Sequence, residues 1–452
     1  MTTVGPDQFR LGFIKSVKTR LDQFCDLATQ CHPSHLSCEP FPLPGQGGPI
    51  QCGHFNLCVI IQFRHLNPER WVIRIPFPDQ HSWSAEKMTS EIATMTYVAA
   101  KTNIPLPRVY DYSLSRDNLI NSPYMIMDYM EGRRLRDLIR KHKMPSSKSQ
   151  IEKAHLQVAN IYLQLRQLEF PAIGALGPIQ WLNKSLTSYS PAEIGVSGRP
   201  LTLDMALQST SKGYHPGGIL EPKTTFQSNR AFVDALAKLS ANRFRRLSVL
   251  DPNQKQIPLP PFAQYIQETF HKFAAKELCQ SNGPYVLMHG DLMLHDGNIL
   301  FDEDFNLTAV IDWEWSFVAP VQFLVPPVWL SGSGIMFAFL DQGFKKQVQS
   351  FRGQVEMLER TAGQLSLLNS PWSSTADVWG IALIAALLHP DNIDFAFMEI
   401  LFWHIYGVEK SDENIEKRGN IIKSLIEDAG KSTGIEDYLI REFSLKSRLW
   451  RS

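Results

Sequence analysis

Residues 287–315 read LMHGDLMLHDGNILFDEDFNLTAVIDWEW, and this stretch constrains the fold more than any other. Three apolar runs, each of strand length, are separated by polar turn residues. His289-Gly290-Asp291 closes the first run, Asn298 opens the second and Asp312 closes the third. Loops that leave strand ends hold their side chains on a rigid support. Asp291 can therefore face a cleft, while Asn298 and Asp312 bracket the hairpin NILFDEDFNLTAVID. Two oxygen donors held in this way suit Mg2+, which completes its shell with phosphate oxygens and water. A third carboxylate nearby can accept the proton of a substrate hydroxyl. Asp, Asn and Asp in this order match what phosphoryl transfer from a Mg-nucleotide uses.

The rest of the chain supplies a frame for that stretch. Residues 1–50 open with a helical segment and end in PFPLPGQGGPI, a Pro- and Gly-rich lead-in. FNLCVIIQF (55–63) and WVIRIPF (71–77) are β-rich runs joined by a polar turn, which predicts a hairpin. Residues 84–101 read as a helix with Met88, Ile92, Met95 and Ala99 on one apolar stripe. PRVYDYSL and SPYMIMDYM add two strands. Ile151, Ala154, Val158, Ile161, Leu165 and Leu168 then mark an amphipathic helix, and Phe262, Ile266, Phe270 and Phe273 another. Residues 188–225 are rich in Ser, Pro and Gly and predict a long loop. After residue 315 the pattern is mostly helical. A strand-rich front followed by a helix-rich back is an α+β two-lobe layout, divided here into an N-terminal lobe of residues 1–129 and a C-terminal lobe of residues 130–452.

Composition narrows the function classes. Apolar residues are 44% and charged residues 20%, and Lys plus Arg balance Asp plus Glu at 45 each. Nothing in that balance points to nucleic acid or a membrane surface as a partner. The longest apolar stretches, such as GIALIAALL, fall short of the ~20 residues that span a bilayer. The first residues lack a charged segment followed by an apolar one, so no secretory leader is expected. Six cysteines in 452 residues make no disulfide framework. Cys25, Cys31 and Cys38 are spaced too widely for a CxxC knuckle and are expected to be free thiols. The expected location is cytoplasmic.

Taken together, WVIRIPFP, IPLPRVYDY, SPYMIMDYMEG, FPAIGALG, RPLTLDM, LMHGDL, NIL, VIDWEW and PPVWL resemble, in order, the aminoglycoside phosphotransferase family. The likeness is to its fungal members, which share the protein-kinase-like fold. The resemblance implies ATP and Mg2+ as cofactors and a small molecule bearing a hydroxyl as substrate. By it, Asp291 is the catalytic base and Asn298 and Asp312 are the metal ligands. It also makes Arg74 the cation on the phosphates, where kinases usually carry Lys. Arg keeps the charge and binds phosphate bidentately. A carboxylate on the following helix should hold Arg74. At about 100° per residue, Glu91 lies about 70° from the centre of the apolar stripe and Glu86 about 150° away. Glu91 is therefore the expected partner, with Glu86 in water. Gly53, in GPIQCGHFN, would let the backbone approach a phosphate. The Asp128 carbonyl and Met130 amide would bind adenine at a lobe-connecting hinge.

One departure bears on activity. The family pattern places the Asp and Asn five positions apart, whereas here they are seven apart, with LMLHDG between them. The surplus, about 7 Å of extended chain, can bulge outward and leave both ends in place. It can instead displace one end, with His295 or Asp296 assisting metal or substrate. Trp313, Glu314 and Trp315 offer either aromatic faces and a carboxylate to a cationic substrate or simple core packing. Residues 188–225 and VPPVWL are candidate caps over the pocket. The long spacing and the incomplete glycine loop also fit a catalytically inactive pseudokinase acting as a nucleotide-binding or scaffold protein. A protein kinase fits less well, because the metal Asp stands in Asp-Trp-Glu and no Ala-Pro-Glu follows.

Overall fold

The alternation in the first hairpin decides the architecture of the front lobe. A computed structural model describes residues 6–43, 48–66, 68–78, 83–141, 148–209, 220–247, 261–293, 296–331, 342–363, 367–368, 372, 377–407 and 411–428. The chain starts with helices α1 (Pro6–Lys18) and α2 (Leu21–Cys31), then short strands β1 (Cys38–Pro40) and β2 (Ile50–Cys52). The predicted hairpin is β3 (Asn56–Phe63) and β4 (Arg70–Pro76), paired Cys58 to Arg74 and Val59 to Ile73. Helix α3 (Ser84–Lys101) follows, then β5 (Val109–Ser113) and β6 (Tyr124–Asp128). The sheet is antiparallel in the order β1-β3-β4-β6-β5, with β2 also on β3. The sequence reading missed β1 and β2, because three-residue strands carry no periodicity.

Side chains alternate across a strand, so Leu57, Val59, Ile61, Phe63, Trp71, Ile73 and Ile75 share one face. All are fully buried against Phe24, Leu27 and Ala28 of α2 and Val17 of α1. At 1.5–3 kcal/mol for each large apolar side chain buried, roughly, this layer fixes the register and leaves Arg74 on the opposite face. There α3 packs with Met88, Ile92 and Met95 buried. Ala99 is exposed, and Val98 continues the stripe instead. Four predicted positions at alternating 4 and 3 had drifted by one residue at the helix end.

The back lobe is helical. Its helices begin with α4 (Leu135–Lys141) and α5 (Lys148–Arg166), the latter predicted from its apolar stripe. After β7 (Glu169–Phe170) and β8 (Ala175–Pro178) come β9 (Ile194–Gly198), α6 (Leu203–Ser209), α7 (Asn229–Leu247) and α8 (Pro261–Leu278). The predicted long loop therefore needs correction: β9 pairs with β8, and α6 follows it. Residues 210–219 of that loop lie outside the described residues. Next are β10 (Tyr285–Met288), the hairpin β11 (Ile299–Phe301) and β12 (Leu307–Val310), and β13 (Phe317–Pro320), which returns to pair with β10. Helices α9 (Gln342–Thr361), α10 (Val378–Leu388) and α11 (Asp412–Asp428) follow, with short helical segments Ile393–Ala396 and Phe402–Tyr406 between the last two. Tyr162 of α5 meets Phe351 of α9 edge-on, with ring centroids 5.7 Å apart. The result is the expected α+β two-lobe, protein-kinase-like arrangement. Among the described residues no helix is long and apolar enough to cross a membrane, and all six cysteines are free.

Between the lobes, Arg133 exchanges backbone hydrogen bonds with Phe301 of β11. Gly132 stands beside that hairpin with φ of +150°, and a Cβ there would come 2.6 Å from Thr308 Oγ1 and 2.8 Å from Leu300 Cβ. Only glycine fits that position. The chain crossing from the sheet to the back lobe is thereby seated directly on the hairpin that carries Asn298 and Asp312.

Candidate active site

Three turns converge below the inner face of the sheet. Asp291 lies three residues beyond β10, Asn298 immediately before β11 and Asp312 two residues beyond β12. They are stitched together through His289 and Ile311. The His289 ring Nε2 lies 2.9 Å from Ile311 O, and its Nδ1 accepts at 3.4 Å from the Asp291 amide. A carbonyl only accepts, so Nε2 is the donor of that bond. The Ile311 amide in turn donates to Asn298 O at 2.9 Å. Asn298 Nδ2 donates to Asp291 Oδ2 at 3.1 Å. Gly290 is dictated by close approach, since a Cβ there would lie 2.0 Å from Trp315 O.

Asp312 has φ 62° and ψ 59°, the left-handed region that costs a non-glycine residue roughly 1–2 kcal/mol. That conformation ends β12 sharply and leaves 35% of the Asp312 side chain exposed. Arg74 reaches it across the cleft, with Nη1 to Asp312 Oδ1 at 3.3 Å. The other arm of Arg74 binds Glu91 Oε2. Burial opposes the Arg74 charge, but Glu91, Glu314 and Asp312 outweigh it and raise its pKa further. Burial pushes the Glu91 carboxyl up against the pull of Arg74. Desolvation, and then the charge of Glu314, hold the Asp312 carboxyl well above the usual carboxylate range.

A second buried ion pair was missed in the sequence. Lys87 of α3 and Glu314 each leave 3% of their side chains exposed, and Lys87 Nζ lies 2.6 Å from Glu314 Oε2. Asn56 Nδ2 donates to the same oxygen at 2.7 Å. Lys87 Nζ also sits 4.8 Å from the Trp315 ring centre and 5.3 Å from that of Phe55. Burial alone would raise the Glu314 carboxyl, yet Lys87 and Arg74 together hold it below its ordinary value. The available signal was spacing: Lys87 is one helical turn before Glu91 and shares its face.

Of the two readings of the Trp-Glu-Trp segment, these contacts favour core packing. Trp313 and Trp315 are 1% and 2% exposed, and Trp313 Nε1 donates to Val310 O at 3.0 Å. The left-handed turn at Asp312 tucks both indoles into the core and commits Glu314 to Lys87. The segment VPPVWL is likewise core: Val325, Val328, Trp329 and Leu330 are all buried.

The extra residues after Asp291 do not bulge outward where they are described. Leu292 and Met293 are 2% and 3% exposed. Their carbonyls accept from Trp329 Nε1 at 2.8 Å and from the Val328 amide at 2.9 Å. Asp296 is not held out toward the site. Its two oxygens accept from the Arg136 amide at 2.8 Å and Arg136 Nε at 2.6 Å, tying the loop to the first turn of α4. His295 lies outside the described residues. Leu292, Met293 and Asp296 are buried, and Asp291 and Asn298 stay in contact. Deleting two residues within LMLHDG is therefore expected to destabilise the protein by ~2–5 kcal/mol, the range for emptying a core position. Thermal or urea unfolding measures this, and an unchanged midpoint would refute the buried-loop account.

Glu86 does not point at water. It receives Arg199 Nη2 at 2.8 Å and Nε at 3.1 Å, and Arg199 is only 4% exposed. Arg199 comes from the loop after β9, which no helix-phase argument includes. Glu86→Gln should lower stability by leaving that guanidinium half-paired, while Mg-dependent nucleotide affinity is unchanged. Glu91→Gln should weaken that affinity. Parallel unfolding curves and nucleotide titrations of the two variants separate the roles.

Gly53, Asp128 and Met130 lie at a turn, a strand end and the segment after it. Gly53 is in the turn between β2 and β3, its amide donating to Asn56 O at 2.8 Å. Asp128 ends β6, and Met130 follows it by two residues. The Asp128 amide bonds to Arg108 O at 3.1 Å, and its carboxylate accepts from the Arg108 amide and Tyr110 hydroxyl at 2.8 and 2.7 Å.

The charge set tests the fit of a metal. Two cations, Arg74 and Lys87, face four carboxylates, Glu91, Asp291, Asp312 and Glu314. Asn298 and the Asp291 and Asp312 carboxylates offer hard oxygens, as a divalent ion requires. Among the described residues no cluster of three or more His, Cys, Asp or Glu could hold a metal ion.

With this geometry established, the chain belongs to the phosphotransferase enzyme family, whose model matches residues 61–323. Among curated proteins it is 25% identical over 267 residues to "Clavilactone A biosynthesis cluster protein Y" of Ampulloclitocybe clavipes, covering 58% of each chain. It is 29% identical over 117 residues to "Altered inheritance of mitochondria protein 9, mitochondrial" of Clavispora lusitaniae, covering 24% of this chain and 19% of that one. The chain thus spans less than two thirds of the length of either relative. Solved structures similar to it include macrolide 2'-phosphotransferase MphH of Brachybacterium faecium, with 14% identity, TM-score 0.36 and coverage of 82% of this chain and 99% of that one. A putative fructosamine-3-kinase of Thermobifida fusca gives 12% identity, TM-score 0.38 and coverage of 77% and 91%.

Proposed function

We propose that this protein transfers a phosphoryl group from ATP, with Mg2+, to a hydroxyl of a small molecule. The observation that carries the reading is the bridge made by Arg74, which binds Glu91 with one arm and Asp312 with the other while Asn298 holds Asp291 beside them. In this reading Asp291 orients the acceptor hydroxyl and takes its proton. Asn298 and Asp312 hold the metal, which when bound supplies charge neutralisation at the phosphate oxygens. Arg74 clamps the phosphates in a position that Glu91 fixes. The turn at Gly53 covers the phosphates, and the Asp128 carbonyl and Met130 amide take adenine. The lobe boundary lies at residues 129/130, and the proposed location is the cytosol.

The buried tryptophans and the committed Glu314 leave substrate choice to other parts of the cleft. A screen of hydroxylated metabolites with labelled ATP and Mg2+ tests the proposal. The expected result is Mg-dependent label transfer to at least one compound, lost in Asp291→Ala. Mg-dependent nucleotide binding with neither transfer nor hydrolysis would overturn it in favour of a nucleotide-binding pseudokinase.

A further inference from the structure

Helix α1 reaches the turn between β2 and β3 with one side chain. Arg10 Nη2 donates to Gly53 O at 2.9 Å and to His54 O at 2.8 Å. Its guanidinium stacks over Phe77, 4.4 Å from the ring centre. Phe77 is 2% exposed within the outer core that α1 and α2 form on the sheet. The Phe77 amide donates to Phe55 O at 3.0 Å, so the platform under Arg10 is itself bonded to the turn.

In a trans peptide the carbonyl and the following amide point in opposite directions. The Gly53 carbonyl shares its peptide plane with the His54 amide, and the His54 carbonyl shares its plane with the Phe55 amide. Arg10 holds both carbonyls on one side. The two amides of those planes are therefore turned to the other side, where Asn56 binds Glu314 and Arg74 binds Asp312. Successive amides facing one way form an anion-binding concavity. Without Arg10, two adjacent carbonyls facing the same way would repel each other, and the turn would be free to flip either peptide.

We propose that Arg10 is a positioning residue that presets this turn for the phosphates of the nucleotide. The inference rests on the nucleotide reading above. It assigns a role to α1, which lies outside the region 61–323 shared with the family. The device places the clamp outside the cleft, so it acts on phosphate affinity and leaves adenine recognition alone.

The test compares Arg10→Ala and Arg10→Lys with the parent protein. Titrations use Mg-ATP and adenosine separately, and hydrogen exchange is followed in the 50–58 segment of the ligand-free protein. In Arg10→Ala the dissociation constant for Mg-ATP should rise about three- to tenfold, the range for lost hydrogen bonds of this kind. Adenosine affinity should stay within about twofold, because adenosine lacks the phosphates that the turn would meet. Exchange at the Gly53 amide, which donates to Asn56 O at 2.8 Å within the turn, should quicken. Arg10→Lys, with one point donor in place of a fork, should fall between. An equal loss for both ligands would assign Arg10 a general structural role and overturn the proposal. So would unchanged Mg-ATP affinity. If the parent binds no Mg-ATP, the nucleotide reading fails first. Unaltered exchange at the turn in Arg10→Ala would then refute the clamp separately.

Discussion

Asp291→Asn is expected to lower kcat by ~10²–10⁴, the usual range for a positioned acid–base group, while Mg-ATP affinity stays near normal. The substitution preserves size, and an amide oxygen can still accept from Asn298 Nδ2, which now binds Asp291 at 3.1 Å. Only the charge and basic lone pair are removed. Asp312→Asn should fail differently. It removes a charged donor from the metal and a partner from Arg74 Nη1 at 3.3 Å. Mg-dependent nucleotide binding should weaken and recover in part at higher Mg2+, because occupancy follows mass action. Nucleotide titrations at several Mg2+ concentrations, with steady-state rates on any accepted substrate, distinguish the two. If Asp291→Asn lost Mg-nucleotide binding while Asp312→Asn bound normally but was inactive, the assigned roles would be reversed. If neither variant changed either quantity, the stretch would be structural and the phosphotransfer proposal would fall.

Lys87→Met should destabilise the fold by ~3–5 kcal/mol, the cost of stranding one member of a buried ion pair. Lys87 and Glu314 are both almost wholly buried and lie 2.6 Å apart, so among the described residues the remaining carboxylate keeps Asn56 as its direct donor. The effect should also reach the site. Glu314 stands two residues from Asp312, and Arg74 is the next cation that acts on it. An unpaired Glu314 would draw Arg74 away from Asp312 and weaken Mg-ATP binding together with stability. Replacing both residues, as Lys87→Met with Glu314→Gln, leaves no stranded charge and should recover part of the loss. A double-mutant cycle in urea reads the coupling directly. Simple additivity of the two single variants would show that the pair contributes nothing of its own.

The contrast between these variants follows the division between local and long-range information. Residues 287–315 announced their strands and turns because each run is set by neighbours a few positions away. The same holds for the hairpin of β3 and β4 and for α3, whose bounds match the predicted 84–101. Helix phase was enough to rank Glu91 above Glu86 as the partner of Arg74. It was not enough to find Arg199, which meets Glu86 from 113 positions away. Nor could spacing show that Leu292 and Met293 are buried against Val328 and Trp329, since chain length states how far a loop can go and not where it goes.

The sequence by itself determined the β3–β4 hairpin, the bounds of α3 and the Asp, Asn, Asp constellation, because periodicity and turn chemistry are local. Only the tertiary structure decided which charges are spent internally. Lys87 takes Glu314 and Arg136 takes Asp296, while Arg10 takes two carbonyls of the turn after β2. A buried charge must find a partner wherever the fold brings one within reach, and that reach is set by packing between segments far apart in the chain.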